Sequence, residues 1–268
     1  MMSGLSSVVR RHPIITFFVL SYALAWMLVP FGSFGAYGPL VAALVVVPVT
    51  QGWAGLKELG LRIIRWRVRW YWYAVALGVP LAVHLAVVGL NVAAGAGVPS
   101  LTFASLTTFL MVFAIRLVNP TDGPLGENPG WQGFAFPGLQ GSGYSPLLAT
   151  AIVAPLVSLW HLPLFFWEPG GLRPSILVGG LVTTVAATFF YNWLFNRTGG
   201  SVLQVILAHD LEGSIQTEIG WIYMGVWCVV AIGLVVFDWK AWRGPAPTEA
   251  TIPPRATPPK GATPAAPA

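Results

Sequence analysis

Apolar residues in this chain come in long unbroken runs, not in the alternating or 3.6-residue stripes of elements with one wet face. Runs near the roughly 20 residues that a bilayer-crossing helix needs lie at residues 14–31, 37–54, 71–94, 101–118, 145–167, 174–196, 201–216 and 219–238. They predict an all-α polytopic transmembrane helical bundle of about eight membrane segments. The first run contains Ala23-Leu24-Ala25, which imitates a signal-peptide cleavage site. It continues through Met27, Leu28, Val29 and Phe31, longer than a signal peptide's apolar core, and so reads as a retained helix. From Gly244 the pattern stops: residues 244–268 hold eight Pro, seven Ala and four Thr and no apolar period. That composition predicts one integral membrane domain over residues 1–243 followed by a disordered cytoplasmic tail.

Composition narrows the class. Of 268 residues, 56% are hydrophobic and 9% charged, with a mean hydropathy of +0.72. A soluble domain carries about a quarter charged residues, so a soluble enzyme or a nucleic-acid binder is excluded. The net charge of +5 reads as a topology signal. Alternating sides across eight crossings puts 13 of the 14 basic residues on one face, with Arg173 opposite. By the positive-inside rule that face is cytoplasmic and holds both termini; the expected location is a bacterial-type cell membrane. The gap at 55–70, with Lys57, Arg62, Arg65, Arg67 and Arg69 among Trp and Ile, reads either as an interfacial helix on anionic headgroups or as a basic topology anchor. The single cysteine, Cys228, allows no disulfide framework and no Cys-based metal site.

In so apolar a chain the informative residues are the ionisable ones at membrane depth, each costing about 2.5–3.5 kcal/mol unless it faces protein or water. They are His84, Glu127, His161, His209, Asp210 and Glu212. His84 stands alone in its run and reads as a packed, hydrogen-bonded side chain. The cluster His209-Asp210-Leu211-Glu212 reads either as the lining of a wet cavity or as a helix ending at the interface.

Three strings carry a resemblance: Gly126-Glu127-Asn128-Pro129-Gly130-Trp131-Gln132-Gly133-Phe134-Ala135-Phe136-Pro137, then Leu159-Trp160-His161-Leu162-Pro163, then Asn196-Arg197-Thr198-Gly199-Gly200-Ser201 leading to His209. In this order, over a motif core of about residues 120–215, the chain resembles the CAAX-protease and bacteriocin-processing (CPBP, or Abi) family of intramembrane glutamic endopeptidases. The family's motifs are Glu-Glu-x-x-x-Arg, Phe-x-x-x-His and His-x-x-x-Asn or Asp. The resemblance implies catalytic roles for Glu127 and His161 in activating water, and for His209 in stabilising the oxyanion. Four positions depart from the motifs: Asn128 replaces the second glutamate, Gln132 the arginine, Val157 the phenylalanine and Gly213 the final Asn or Asp. Asn128 and Gln132 are four apart, neighbours on a helix, where two amides can bond to each other. Gly213 offers no donor, a loss typically worth about a hundredfold to a thousandfold in rate.

The implied activity is endoproteolysis of a membrane-associated protein or peptide by activated water, with no cofactor, no metal and no nucleic acid. An alternative is a catalytically impaired scaffold or immunity-type protein of the same fold; a small-solute transporter ranks below both. Zinc held by Glu127, His161, His209 and Glu212 is a lesser variant, because no His-Glu-x-x-His spacing exists. Residue 144 is midway between Glu127 and His161, so a helical hairpin turning there brings the two to one depth. If residue 145 starts a crossing at the cytoplasmic face, however, His161 lies about 24 Å along it. Either residues 122–140 enter the membrane or one crossing is misplaced.

Overall fold

Proline and serine set where most helices begin. Pro13, Pro124, Pro146 and Pro174 each occupy the first turn of a helix, where a missing N–H costs nothing. Ser145 and Ser201 cap theirs by accepting from the N–H groups of Leu148 and Gln204, both at 3.3 Å. The structure is a computed structural model and describes residues 2–99, 102–168, 172–215, 220–245 and 247. Its helices are α1 (Met2–Arg11), α2 (Pro13–Trp26), α3 (Gly38–Ile63), α4 (Tyr71–Ala93), α5 (Phe103–Val118), α6 (Pro124–Gly130), α7 (Phe136–Gly141), α8 (Pro146–Trp160), α9 (Pro174–Arg197), α10 (Val202–Ser214), α11 (Trp221–Phe237) and α12 (Trp239–Arg243). No strand occurs among the described residues, and the all-α expectation holds. The expected tail falls almost wholly outside them.

Four segments are long and apolar enough to cross a bilayer: Pro13–Phe31, α3, α4 and α9. Ser105–Val118, α8 and α11 are apolar but shorter. Their outer faces carry bare aliphatic side chains such as Leu85, Val229 and Ile232, as lipid-facing helices do and water-facing ones rarely do. Helix α9 packs between α8 and α11, α2 lies on α3, and α10 lies against α4, α5 and α6.

The segment between the fourth and fifth apolar runs is where the sequence left two readings. It is helical and buried. α6 passes through one wide turn, Trp131–Ala135, into α7, and almost every residue from Pro124 to Gln140 is shielded. Pro129 and Pro137 cannot donate to carbonyls four residues back, and the helix widens between them. α7 turns at residues 142–145 into α8, giving the hairpin centred near residue 144. An additional helix therefore stands in the bundle beyond the eight apolar runs, and the eightfold alternation of sides does not describe it.

The basic residues are regrouped accordingly. Arg65 donates to the Gly199 carbonyl at 2.7 Å and Arg197 donates to Asp238 at 2.7 Å, so the 57–70 gap, the α9 end and the α12 region gather at one end. Arg116, expected there, instead pairs with Asp122 at 3.2 Å and Asp210 at 3.4 Å. Just before the gap, α3 breaks at Gly52 (φ 67°, ψ −161°), a backbone state open mainly to glycine. Beyond the break Arg62 is buried and bonded to Glu58 at 3.0 Å, whereas Trp53, Trp66 and Trp70 are exposed.

Helix α6 approaches α3 and the preceding loop more closely than a side chain permits. A Cβ on Gly126 would lie 2.4 Å from the Pro120 carbonyl oxygen, and one on Gly130 would lie 2.5 Å from that of Pro39. Both obstacles are backbone. Gly130→Ala is therefore expected to cost at least about 2 kcal/mol, read by unfolding of the purified protein in detergent. Gly78→Ala, which meets only open space, serves as the neutral control.

Asp238, just beyond α11, gives a pH prediction. Partial burial pushes its carboxyl up, but Arg197 and the Trp193 indole N–H at 2.7 Å more than offset this and hold it below the usual range. A carboxyl depressed on folding stabilises above its unfolded value of about 3.9, and the contribution disappears as pH falls through the lower folded value. Asp238→Asn should thus melt below wild type at pH 7 and converge with it at acid pH, in parallel melting series.

Candidate active site

Glu127 sits one residue after Gly126, in the first turn of α6, so the close approach of that helix to α3 fixes its carboxylate inside the bundle. It is 5% exposed. His161 stands at the end of α8, where Pro163 cannot continue the helix. Its Nδ1 lies 2.8 Å from the Val157 carbonyl, which can only accept, so Nδ1 carries a proton and Nε2 is turned to Glu127. The distance from His161 Nε2 to Glu127 Oε2 is 3.4 Å. Two acceptors facing each other there would repel, so the contact is attractive when one proton is shared by the pair.

Both residues line a cavity of about 320 Å³, together with Asn128, Tyr191, His209 and Glu212. The three residues singled out from the sequence are thus brought to one cavity, and only Glu127 and His161 touch. His209 lies on α10 with its ring stacked on Tyr191 (centroids 5.2 Å apart, 30° between planes). The reading of residues 209–212 as a helix end at the interface is not what the structure has. Asp210 is fully buried on Arg116, and Glu212 accepts from the Tyr223 hydroxyl inside the cavity. His84 is packed as expected, with Nε2 3.1 Å from the Glu212 backbone carbonyl.

The two amides that replace charged motif residues do bond to each other, and they extend further. His209 Nδ1 donates to Asn128 Oδ1 at 3.1 Å, and Asn128 Nδ2 donates to Gln132 Oε1 at 2.9 Å. Gln132 Nε2 then donates to Asn192 Oδ1 at 3.0 Å, and Asn192 Nδ2 to Thr150 Oγ1 at 3.1 Å. All four partners of His209 in this chain are buried. As the amides are oriented here every link runs the same way and puts a proton on His209 Nδ1.

Position 213 is not a bare gap. A Cβ there would lie 2.7 Å from Arg116 Nη2, so the guanidinium covers the glycine. Among the described residues no group of three or more His, Cys, Asp or Glu is placed to hold a metal ion. Thr150, Tyr191, Asn192 and Arg116 escaped the sequence reading. The first three are neutral at physiological pH and were passed over by a search for ionisable groups, although Tyr191-Asn192 is a polar pair in an apolar run.

The amide row predicts an order of damage. Gln132→Leu strands Asn128 Nδ2 and Asn192 Oδ1 together, whereas Thr150→Val strands only Asn192 Nδ2. At about 1–3 kcal/mol for each orphaned buried group, Gln132→Leu should destabilise clearly more than Thr150→Val in chemical unfolding curves.

Comparison with known proteins covers the segment in which this site lies. A family model described as type II CAAX prenyl endopeptidase Rce1-like matches residues 105–211. The CAAX prenyl protease 2 of Methanococcus maripaludis is 28% identical over 158 residues, covering 52% of this chain and 54% of the relative. The chain thus matches about half the length of that relative. The matched segment contains Glu127, His161, His209 and the whole amide row, and over it the chain is similar to Rce1-like CAAX prenyl endopeptidases.

Proposed function

We propose that this protein is an intramembrane endopeptidase that hydrolyses a peptide bond of a membrane-associated protein or peptide with water activated by Glu127 and His161. The observation that carries the reading is the 3.4 Å contact of these two side chains in a cavity inside an apolar bundle. A carboxylate at such depth is costly, and a paired acid and imidazole facing an open cavity is the arrangement of a general acid–base. The Glu127 carboxylate removes a proton from water, and the water oxygen adds to the scissile carbonyl carbon. His161, its Nδ1 held by Val157, orients the water through Nε2. Protonated Glu127 then passes its proton to the leaving amine. No covalent intermediate with the enzyme is needed. The substrate class follows the name of the relative: a prenylated peptide ending in a CAAX sequence, whose lipid would lie in the bilayer that surrounds the bundle.

The gathering of Arg65, Arg197 and the Lys240–Arg243 region at one end supports a cytoplasmic placement of that end by the positive-inside rule.

The test is cleavage of a farnesylated CAAX peptide by the purified full chain in liposomes. Glu127→Ala and His161→Ala should each lower kcat at least about a hundredfold. Equal cleavage by wild type and both variants would sink the mechanism.

A further inference from the structure

Hydrolysis needs a donor for the oxyanion, and the residues expected to supply one are otherwise engaged. With its proton on Nδ1, given to Asn128, a neutral His209 presents Nε2 as an acceptor. Gly213 has no side chain. Arg116, which covers it, is held between Asp122 and Asp210. The Tyr223 hydroxyl donates to Glu212, and that carboxylate would repel a developing negative charge.

Three donors on the cavity wall have no hydrogen-bond partner among the described residues, Trp131 Nε1, Thr183 Oγ1 and the Tyr191 hydroxyl, and of these Tyr191 is the one whose ring stacks on His209. Tyr191 lines the cavity and is 6% exposed, yet its hydroxyl has no hydrogen-bond partner among the described residues. A buried hydroxyl nearly always has a partner, and one left open at a cavity marks where a ligand atom or water belongs. Its ring is fixed by stacking on His209 and by edge packing on Trp227 at 6.5 Å. Helix α9 also fixes its height: Thr183, Ala187 and Tyr191, four residues apart, form a stripe on the cavity, while Asn192 next door turns into the amide row.

We propose that Tyr191 is a catalytic residue, its Oη–H donating a hydrogen bond to the carbonyl oxygen of the scissile peptide as that oxygen becomes negative. The inference rests on the hydrolase reading above. As the water oxygen bonds to the carbonyl carbon, the C=O π pair moves onto oxygen and is held by Tyr191 Oη–H, whose proton stays on the tyrosine. When the C=O bond re-forms, the C–N bond breaks and the amine takes the proton carried by Glu127. A preformed donor of this kind is worth about a hundredfold to a thousandfold in rate.

Tyr191→Phe removes the hydroxyl and keeps the ring stacked on His209. Measured on the farnesylated CAAX peptide beside wild type and Glu127→Ala, it should lower kcat about a hundredfold or more with KM changed less than about threefold. A phosphinic analogue of the peptide, which carries a tetrahedral anion, should bind Tyr191→Phe at least about tenfold more weakly than wild type. The uncleaved peptide should bind Glu127→Ala and Glu127→Ala/Tyr191→Phe equally, which a purely structural role for the hydroxyl would not give. If Glu127→Ala is impaired and Tyr191→Phe keeps its kcat, the hydrolase reading stands and the tyrosine role is overturned. If wild type and Glu127→Ala behave alike, the hydrolase reading itself falls and takes the tyrosine role with it.

Discussion

The seat of α6 is set by backbone meeting backbone, at Gly126 against Pro120 of the preceding loop and at Gly130 against Pro39 of α3. Nothing softer than a carbonyl stands in either gap, so the helix has one seat. Glu127 lies between those two glycines, and Asn128 and Gln132 follow on the same helical segment and its wide turn. Fixing the backbone there fixes the acid and the start of the amide row together. His161 reaches the acid from the other arm of the hairpin, where Pro163 ends α8. His209 reaches it through Asn128. A carboxylate inside an apolar bundle is costly unless it faces protein or a wet cavity, and the glycines fix the backbone that holds it there.

Beside that acid the chain has exchanged charge for neutral dipoles. An ion pair at positions 128 and 132 would have to recover the desolvation of two ions from one contact, and in the interior that recovery is incomplete. Two amides cost less to bury and offer both a donor and an acceptor, so they chain onward to Asn192 and Thr150. Charge is kept only where it is matched locally, as in Arg116 between Asp122 and Asp210. The consequence reaches the chemistry. With the Asn128 oxygen turned to it, His209 carries a proton on Nδ1, and the other nitrogen of the neutral ring is an acceptor.

The helices and the membrane class were legible in the sequence because each rests on a local signal, an apolar run or a scarcity of charge, while Glu127, His161 and His209, which line one cavity, were singled out from six ionisable residues by the motif resemblance. The hairpin that joins Glu127 to His161 was legible as a length, since equal arms from residue 144 bring them level. The buried helix at 124–141 was not. Its three prolines and many glycines look like loop, and only the packing shows that the glycines serve close approach and the prolines a wide turn. Arg116 was placed with the other cations because a positive residue at the end of an apolar run looks the same whether it faces headgroups or a buried aspartate. Beyond its Asn128–Gln132 link, which spans four residues, the amide row was invisible for another reason: its other links join residues 42 to 81 positions apart, and no local pattern encodes them.

Helix α9 ties these parts together, and it does so with neighbouring residues. Tyr191 faces the cavity, Asn192 closes the amide row, Trp193 and Arg197 hold Asp238. Successive positions on a helix point about 100° apart, so one straight element can serve three separate surroundings without bending. It follows that a rotation of α9 sufficient to withdraw Tyr191 from the cavity would also break the bond from Gln132 and pull against the Arg197–Asp238 clamp. The donor at the cavity is therefore held by contacts that lie away from it. That is the economy of a bundle with few polar groups: each one is positioned by the others, and the helix backbone carries the constraint between them.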